Sequence, residues 1–316
     1  MSNIWAGSVL ARDSRDGFAR VDVGGFKLNS LLLPKGGKGD LPPIVFIHGA
    51  STSLYDPVYS FRRRLEGRAT LLFVDRPGHG QSDSGSDQTL SPDGQADAIA
   101  RLMEQRGIRK AVIVGHSFGG AVTAAFALRH PDKVLGLVFL SPAVYPWPGG
   151  IAWYYDAARP PITGHLFSTL IAPSFGIFSL QKAADSVFAP NKTPSDYISQ
   201  TKAWQALRPD SFRHNAREVG DLNNWARVSS PNYKRIHAPT VIITGDADGI
   251  VSPKIHSFQL ARAIRGSRLI VVHNLGHKSD YVAGDLAVAA IETLAGRKRD
   301  FTAIKSSVEA KIADDK

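Results

Sequence analysis

One short segment of this sequence carries the residue types needed for nucleophilic chemistry. Residues 115–119 read G-H-S-F-G, and this G-x-S-x-G pattern places Ser117 between two glycines. Mostly β-branched residues precede it at 111–114, and helix-forming residues follow at 121–129, so a strand, a tight turn and a helix are predicted. Such a turn strains the serine backbone and presents its hydroxyl at a helix N-terminus, which favours negative charge. Ser117 is therefore the candidate nucleophile.

A serine hydroxyl needs a general base, and the base needs a carboxylate that orients it. After a predicted strand, residues 245–251 read G-D-A-D-G-I-V and offer Asp246 and Asp248. After the next predicted strand comes His277, the last of ten histidines in the chain. The resulting order of serine, aspartate and histidine differs from the orders in chymotrypsin and subtilisin.

Acyl transfer also needs hydrogen-bond donors for the oxygen that gains negative charge. An apolar run at 44–47 is followed by His48, Gly49 and Ala50, and a loop after a buried strand can aim a backbone N–H at that oxygen. The residue after the nucleophile supplies the second N–H. We predict that Ala50 and Phe118 form this oxyanion hole, and that His48 supports the loop through hydrogen bonds.

Five motifs, in this order, resemble those of α/β-hydrolase-fold serine hydrolases, specifically the lid-bearing esterases, lipases and carbon–carbon hydrolases. They are HGA at 48–50, DRPGHGQS at 75–82, GHSFGG at 115–120, GDADGIV at 245–251 and GH at 276–277. The resemblance implies an α/β-hydrolase fold, with a mostly parallel central sheet flanked by helices. It also implies a Ser117–Asp248–His277 triad. Family members that attack saturated carbon have aspartate at the position of Ser117, in the tight turn called the nucleophile elbow. A serine at this position therefore favours acyl transfer.

Within the triad, the family pattern G-x-x-D-x-x-V selects Asp248 as the acid. Asp246 lies closer to the strand end and is expected to hydrogen-bond the turn. His273 is expected to pack or hydrogen-bond near its own strand, which leaves His277 as the base. His116, next to the nucleophile, is expected to point beneath the elbow and away from the site.

Strands alternate with helices from residue 44 to about residue 140, which predicts a parallel sheet covered by helices. Gly24-Gly25 separates two strand-like segments and predicts a hairpin at the sheet edge. From residue 142 to 232 no clear strand pattern appears. We therefore predict an α/β-hydrolase core formed by residues 1–141 and 233–316, with an inserted helical lid at residues 142–232.

The predicted lid is rich in aromatic residues, and its stretch 160–180 carries no Asp, Glu, Lys or Arg. Prolines and glycines within this stretch argue against a membrane span. Trp147, Trp153 and Tyr154 are the candidate lining residues of an apolar substrate pocket.

Composition narrows the class of protein further. The 316 residues include no cysteine, which excludes disulfides, zinc–thiolate sites and cysteine nucleophiles. No clustered metal-ligand motif appears, so we predict neither a metal nor another cofactor. Residues 1–10 lack the pattern of a signal peptide, which favours a cytoplasmic location.

The net charge of +10 raises the question of an anionic partner. The densest basic runs, at 62–64 and 297–299, have no nucleic-acid-binding motif beside them, so no nucleic-acid partner is predicted. The basic runs are interpreted as solvated surface, and the alternative is a weak attraction to an anionic membrane surface. The sequence leaves the oligomeric state open.

The sequence predicts hydrolysis of carboxylic esters of small apolar substrates. The alternatives are carbon–carbon bond hydrolysis or perhydrolysis with the same triad, for which Arg159 or Arg208 of the lid could hold a second substrate oxygen. A third alternative is a non-catalytic ligand-binding relative, which a degraded triad or an absent oxyanion loop would favour. Neither defect is seen.

Overall fold

The computed structural model describes residues 16–315 and is built around an eight-stranded sheet. In chain order the strands are β1 (Phe18–Asp22), β2 (Lys27–Leu33), β3 (Ile44–Ile47), β4 (Leu71–Val74), β5 (Ala111–His116), β6 (Val134–Leu140), β7 (Thr240–Gly245) and β8 (Arg268–Val272). Their order in the sheet is β1-β2-β4-β3-β5-β6-β7-β8. Strand β2 pairs antiparallel with β1 and β4, and the other neighbours are parallel. This confirms the predicted fold class.

Helices occupy most of the remaining described chain. The α-helices are α1 (Tyr55–Leu65), α2 (Pro92–Gln105), α3 (Phe118–Arg129), α4 (Trp153–Ala158), α5 (Thr163–Leu166), α6 (Ala172–Phe188), α7 (Tyr197–Thr201), α8 (Pro209–Ser229), α9 (Ser257–Ala263), α10 (Ser279–Val282), α11 (Gly284–Leu294) and α12 (Phe301–Asp314). A π-helical turn covers Phe167–Ile171, and 3₁₀ turns cover Asp87–Leu90, Pro131–Lys133, Ala203–Leu207 and Ser230–Arg235.

The central strands are apolar on both faces because helices cover both sides of the sheet. In β3, Val45 and Ile47 pack with the apolar faces of α2 and α3. Their neighbours Ile44 and Phe46 point the other way and pack with residues of α1, α11 and α12. Alternate side chains of a strand point to opposite faces, so this short strand joins the two layers of the core.

Between β6 and β7 the described chain adds no strand to the sheet. Residues 142–232, called the insertion below, contain α4 to α8. No helix in the described part of the chain has both the length and the apolar character needed to cross a membrane. Residues 1–10, on which the signal-peptide prediction was based, lie outside the described residues.

The turn between β5 and α3 depends on two close backbone approaches. A Cβ atom at Gly115 would lie 2.2 Å from Thr123 Oγ1, and one at Gly119 would lie 2.2 Å from the carbonyl oxygen of Ile47. Ser117, between them, has φ 55° and ψ −118°, a strained conformation for a residue with a side chain. The glycines therefore let the turn pack against β3 and α3.

Gly119→Ala should destabilise the fold by about 1–3 kcal/mol, because the new methyl group meets backbone that cannot rotate away. Urea unfolding followed by circular dichroism measures the loss. The matched control is Gly37→Ala, where an added Cβ meets nothing within 4 Å. Equal unfolding free energies for the two variants would show that the turn tolerates a side chain.

Candidate active site

Ser117 lies at the apex of the turn, immediately before the first residue of α3. Its N–H donates to the carbonyl of Leu140 (3.0 Å), and its own carbonyl accepts from the N–H groups of Gly120 (2.9 Å) and Ala143 (3.1 Å). These bonds fix the strained backbone between β6 and α3. The positive end of the α3 dipole then favours negative charge on the serine oxygen.

Asp248 and His277 follow β7 and β8, whose carboxyl ends lie at the same edge of the sheet. Asp248 Oδ2 lies 2.8 Å from His277 Nδ1, and both side chains are buried. The other carboxylate oxygen, Oδ1, accepts from the N–H groups of Ile250 (2.9 Å) and Val251 (2.8 Å). The structure therefore brings together the aspartate and histidine that the sequence predicts as partners.

The electrostatics of this pair keep the aspartate ionised. Burial by itself would raise the pKa of Asp248, but the charge of His277 and the hydrogen bonds received by the carboxylate hold it below its ordinary value. An ionised Asp248 accepts the proton of His277 Nδ1. Whenever the ring is neutral with its proton at Nδ1, its lone pair is at Nε2, which is the arrangement of a general base.

Asp246 lies outside this arrangement. Its Oδ2 lies 2.7 Å from Nδ1 of His273, and its Oδ1 accepts from the N–H of Asn274 at 2.8 Å. Both side chains of the pair are exposed, with 41% of Asp246 and 69% of His273 accessible. Asp246 therefore stabilises the surface turn after β8.

A cavity of about 980 Å³ lies beside these residues. Its lining includes the three predicted triad residues and both predicted oxyanion residues, Ser117, Asp248, His277, Ala50 and Phe118. The insertion contributes mostly aromatic walls, among them Trp147, Trp153, Tyr154, Tyr155, Phe167 and Phe212. Such a cavity suits an apolar ligand with a few polar atoms.

His116 lines this cavity and also a small cavity that Phe46, Asp56 and Asp280 line, so its position beneath the turn stays a prediction. Its Nε2 lies 2.9 Å from the carbonyl oxygen of His277. Burial lowers the pKa of His116 to about 4, so the ring is neutral at neutral pH. His116 thus contacts the backbone of His277 as a buried, neutral ring.

The loop that carries Ala50 is held by a buried arginine. Arg76 donates from Nε to the carbonyl of His48 (3.0 Å) and from one terminal nitrogen to that of Gly49 (2.9 Å). His48 Nε2 in turn accepts from the backbone N–H of Arg76 at 3.0 Å, as the predicted supporting role of His48 requires. The guanidinium also lies 4.4 Å from the ring centre of Phe118. One side chain therefore contacts both predicted oxyanion segments.

The charge of Arg76 is balanced from the insertion. Glu218 of α8 accepts two hydrogen bonds from the guanidinium, at 2.8 and 2.9 Å, and neither side chain is exposed. His79 Nε2 lies 2.8 Å from the same carboxylate. Burial by itself would raise the pKa of Glu218, but the charges of Arg76 and His79 hold it far below its ordinary value. The sequence motif contained the arginine and the histidine, but no local pattern marked the glutamate.

A second buried ion cluster follows His277 directly. The Lys278 ammonium donates to Asp56 at 2.8 and 2.9 Å and to Asp280 at 3.0 Å, and Tyr197 of the insertion donates to Asp56 at 2.9 Å. Burial by itself would lower the pKa of Lys278, but the two carboxylates hold it well above its ordinary value.

The same two carboxylates and His116 form a group of potential metal ligands within the described residues. Lys278 already donates to both carboxylates, so its ammonium takes the position of a cation there. Absence of a metal or cofactor remains a prediction.

Glu218→Gln should destabilise the protein by about 3–5 kcal/mol at neutral pH, because it leaves the buried Arg76 charge without a counter-ion. The measurement is the free energy of unfolding in urea. The control is Glu104→Gln, which removes the carboxylate from an exposed pair with Lys133 and should cost at most about 1 kcal/mol. A similar small loss in both variants would contradict the role given to Glu218.

The same comparison has a pH dependence. The pKa of Glu218 is lower in the folded protein than its ordinary value of 4.5, so its contribution is complete above that pH and is lost as the pH falls further. The difference in unfolding free energy between wild type and Glu218→Gln should therefore shrink below about pH 4.5. A difference that stays constant down to pH 3 would contradict this.

Comparison with known proteins agrees with this geometry. The family model for the alpha/beta hydrolase fold matches residues 42–280. A 2-(acetamidomethylene)succinate hydrolase from Mesorhizobium japonicum is 32% identical over 284 residues, which cover 86% of this chain and 92% of that protein. A monoacylglycerol lipase from Xenopus laevis is 26% identical over 258 residues, 77% of this chain and 72% of that protein.

Two further comparisons show how much of the chain, and how much of the fold, is shared with other proteins. An acetyltransferase component of the acetoin cleaving system of Cupriavidus necator is 34% identical over 131 residues, which are 41% of this chain and 33% of that longer protein. The crystal structure of a hydrolase from Pseudomonas aeruginosa PA01 shares the fold, with a TM-score of 0.72 at 19% identity over 90% of this chain and all of that one. The chain therefore belongs to the alpha/beta hydrolase fold family, as an enzyme of the hydrolase type.

Proposed function

We propose that this enzyme hydrolyses carboxylic esters of small apolar substrates through an acyl-enzyme on Ser117. One observation carries the proposal. Ser117, at the strained apex of its turn, lines the same cavity as the buried Asp248–His277 pair. A serine, a base and an orienting carboxylate around one cavity are the parts that acyl transfer requires.

The first half of the reaction forms the acyl-enzyme. The Ser117 oxygen attacks the ester carbonyl carbon while His277 Nε2 takes the hydroxyl proton, and Asp248 stabilises the imidazolium that results. The C–O bond to the alcohol then breaks, and His277 returns the proton to the leaving oxygen. Water repeats the sequence on the acyl-enzyme and releases the acid.

The oxyanion of each tetrahedral intermediate accepts hydrogen bonds from the N–H groups of Ala50 and Phe118. In residues 16–315 neither N–H donates to a protein acceptor, and both residues line the cavity. Donors that are fixed in advance need no rearrangement when charge develops, and one such donor is worth about 3–4 kcal/mol of barrier. The contacts of Arg76 with both segments support this preorganisation.

The residues that line the cavity favour a substrate with an apolar acyl group. Trp147, Trp153 and Tyr154 line it with other aromatic residues of the insertion, and Trp153 is 66% exposed, which suits a position at the rim. Each buried CH₂ of an acyl chain contributes about 0.8 kcal/mol. Similarity to a protein named as a monoacylglycerol lipase also favours esters.

The positions of two arginines disfavour carbon–carbon hydrolysis. Arg159 pairs with Asp221 (3.1 Å) at the surface, and Arg208 donates to the carbonyl of Gly80. Neither lines the cavity, so neither can hold a second substrate oxygen there. A non-catalytic role is disfavoured because the residues proposed as nucleophile, base, acid and oxyanion donors all line one cavity.

Ser117→Ala should abolish turnover of p-nitrophenyl esters while leaving the urea unfolding midpoint near that of wild type, because the triad acts as a unit. With wild type, kcat/KM measured from acetate to decanoate should rise over several carbons and then level off once the cavity is full. If Ser117→Ala keeps activity within about tenfold of wild type, the nucleophile is another residue.

Asp248→Asn should lower kcat by about 10⁴-fold, because an amide orients the wrong tautomer of His277. Asp246→Asn, the matched change two residues away, removes only the surface pair with His273 and should alter kcat less than about threefold. Steady-state kinetics on p-nitrophenyl butyrate compare the two variants. If Asp246→Asn is the more damaging variant, the acid has been assigned to the wrong carboxylate.

A further inference from the structure

One buried polar side chain of the cavity, that of His256, takes no part in the proposed mechanism. It lies immediately before α9 and lines the cavity, although only 4% of the residue is exposed. Its ring centre lies 5.9 Å from that of Trp147. A buried imidazole normally has partners for both ring nitrogens, so the partners of each nitrogen are informative.

One nitrogen of His256 has two partners. Nδ1 accepts from the backbone N–H groups of Val144 (3.1 Å) and Tyr145 (3.0 Å). A nitrogen that accepts carries no proton, so the proton of the neutral ring must be at Nε2. Burial lowers the pKa of His256 to about 4, which keeps the ring in this neutral form at neutral pH.

The other nitrogen has none. Within the described residues, Nε2 of His256 makes no hydrogen bond, and it is not among the polar atoms sealed from solvent. Because the ring lines the cavity, this N–H is a donor available to a bound ligand. A ligand without an acceptor would bury that N–H unpaired, at a cost of about 1–3 kcal/mol.

The position of His256 indicates which part of an ester it faces. Residues 248–252, 255 and 256 all line the cavity, and Asp248 at the start of this segment pairs with His277, so His256 lies on their side of the cavity. In the proposed reaction His277 protonates the leaving alcohol, so the alcohol part of the ester must lie on that side.

Resting on the proposed ester hydrolysis, we propose that His256 Nε2 donates a hydrogen bond to a second oxygen atom in the alcohol part of the substrate. The preferred substrates are then esters of diols or glycol ethers with an apolar acyl group. His256 is a specificity residue in this reaction, because its N–H can donate to an acceptor that an alkyl ester lacks.

Matched ester pairs test this directly. 2-Methoxyethyl butyrate and butyl butyrate have nearly the same shape, but only the first has an ether oxygen, as does 3-methoxypropyl butyrate compared with pentyl butyrate. Each kcat/KM is divided by the rate of alkaline hydrolysis of the same ester, which removes differences in leaving-group reactivity. Wild type should prefer at least one ether ester to its alkyl partner by about tenfold.

Two substitutions separate the roles of the ring nitrogens. In His256→Asn, the amide oxygen can replace Nδ1 as the acceptor, but no donor remains at the Nε2 position. This variant should keep the fold and lose the ether preference. Gln in His256→Gln can place an N–H near the Nε2 position but loses the acceptor. It should lower the unfolding midpoint and retain more of the preference. His237→Asn, at an exposed histidine, is the control and should change neither quantity.

The outcomes distinguish this inference from the proposed function. If wild type hydrolyses none of these esters, nor the p-nitrophenyl esters, the proposed function fails. If wild type hydrolyses them and prefers neither ether ester to its alkyl partner, the inference about His256 is wrong. It is also wrong if His256→Asn keeps the wild-type preference. The wild-type comparison decides the question even if neither variant folds.

Discussion

The arrangement of the site depends on the buried guanidinium of Arg76. An arginine has five N–H donors and cannot lose its charge, so full burial is tolerable only if each donor has a partner. All five do: the carbonyls of His48 and Gly49, the Gln95 side chain, and both oxygens of Glu218. Two of those bonds hold the predicted oxyanion loop, and two reach the insertion. The position of the loop is therefore coupled to the position of α8.

The cluster around Lys278 makes a similar connection on the other side of the site. It follows His277 in the chain and reaches Asp56 of α1, which also accepts from Tyr197 of α7. Both clusters join a core loop that carries predicted catalytic residues to a helix of the insertion through buried charge. Buried ion pairs contribute little net stability compared with apolar packing, but removing one partner is costly. Here they fix how the insertion is attached, and the cavity lies between the attachments.

Local sequence patterns predicted the parts of the structure that local forces decide. The apolar runs became strands β3 to β8, and the flanking glycines and helix marked the turn around Ser117. The choice of Asp248 over Asp246 agrees with the pairing to His277. Strand β5 extends two residues beyond the predicted run at 111–114, because strand ends depend on the neighbouring strand. The direction of a side chain such as that of His116, next to a strained turn, cannot be read from residue spacing.

The contacts that local patterns could not predict join distant residues. Glu218 is 142 positions from Arg76, and on a helix of mixed composition it resembles any solvated glutamate. His256 gave no signal either, since its role depends on two backbone N–H groups more than 100 residues earlier in the chain. Buried polar groups must find partners, but a sequence does not say which groups will be buried.

The net charge of +10 includes two basic runs whose arginines mostly pair with carboxylates. In the two basic runs, Arg62 and Arg64 pair with Glu66 and Asp285. Arg297 pairs with Asp40, and Arg299 pairs with Glu292. These carboxylates neutralise much of the local positive potential, and salt screens what is left. The cavity combines apolar walls, N–H donors without a protein acceptor and the Asp248–His277 pair that the proposed triad needs. Selectivity in this protein is therefore expected to come from the cavity, and its polar part from groups such as His256 whose hydrogen bonds only a substrate can complete.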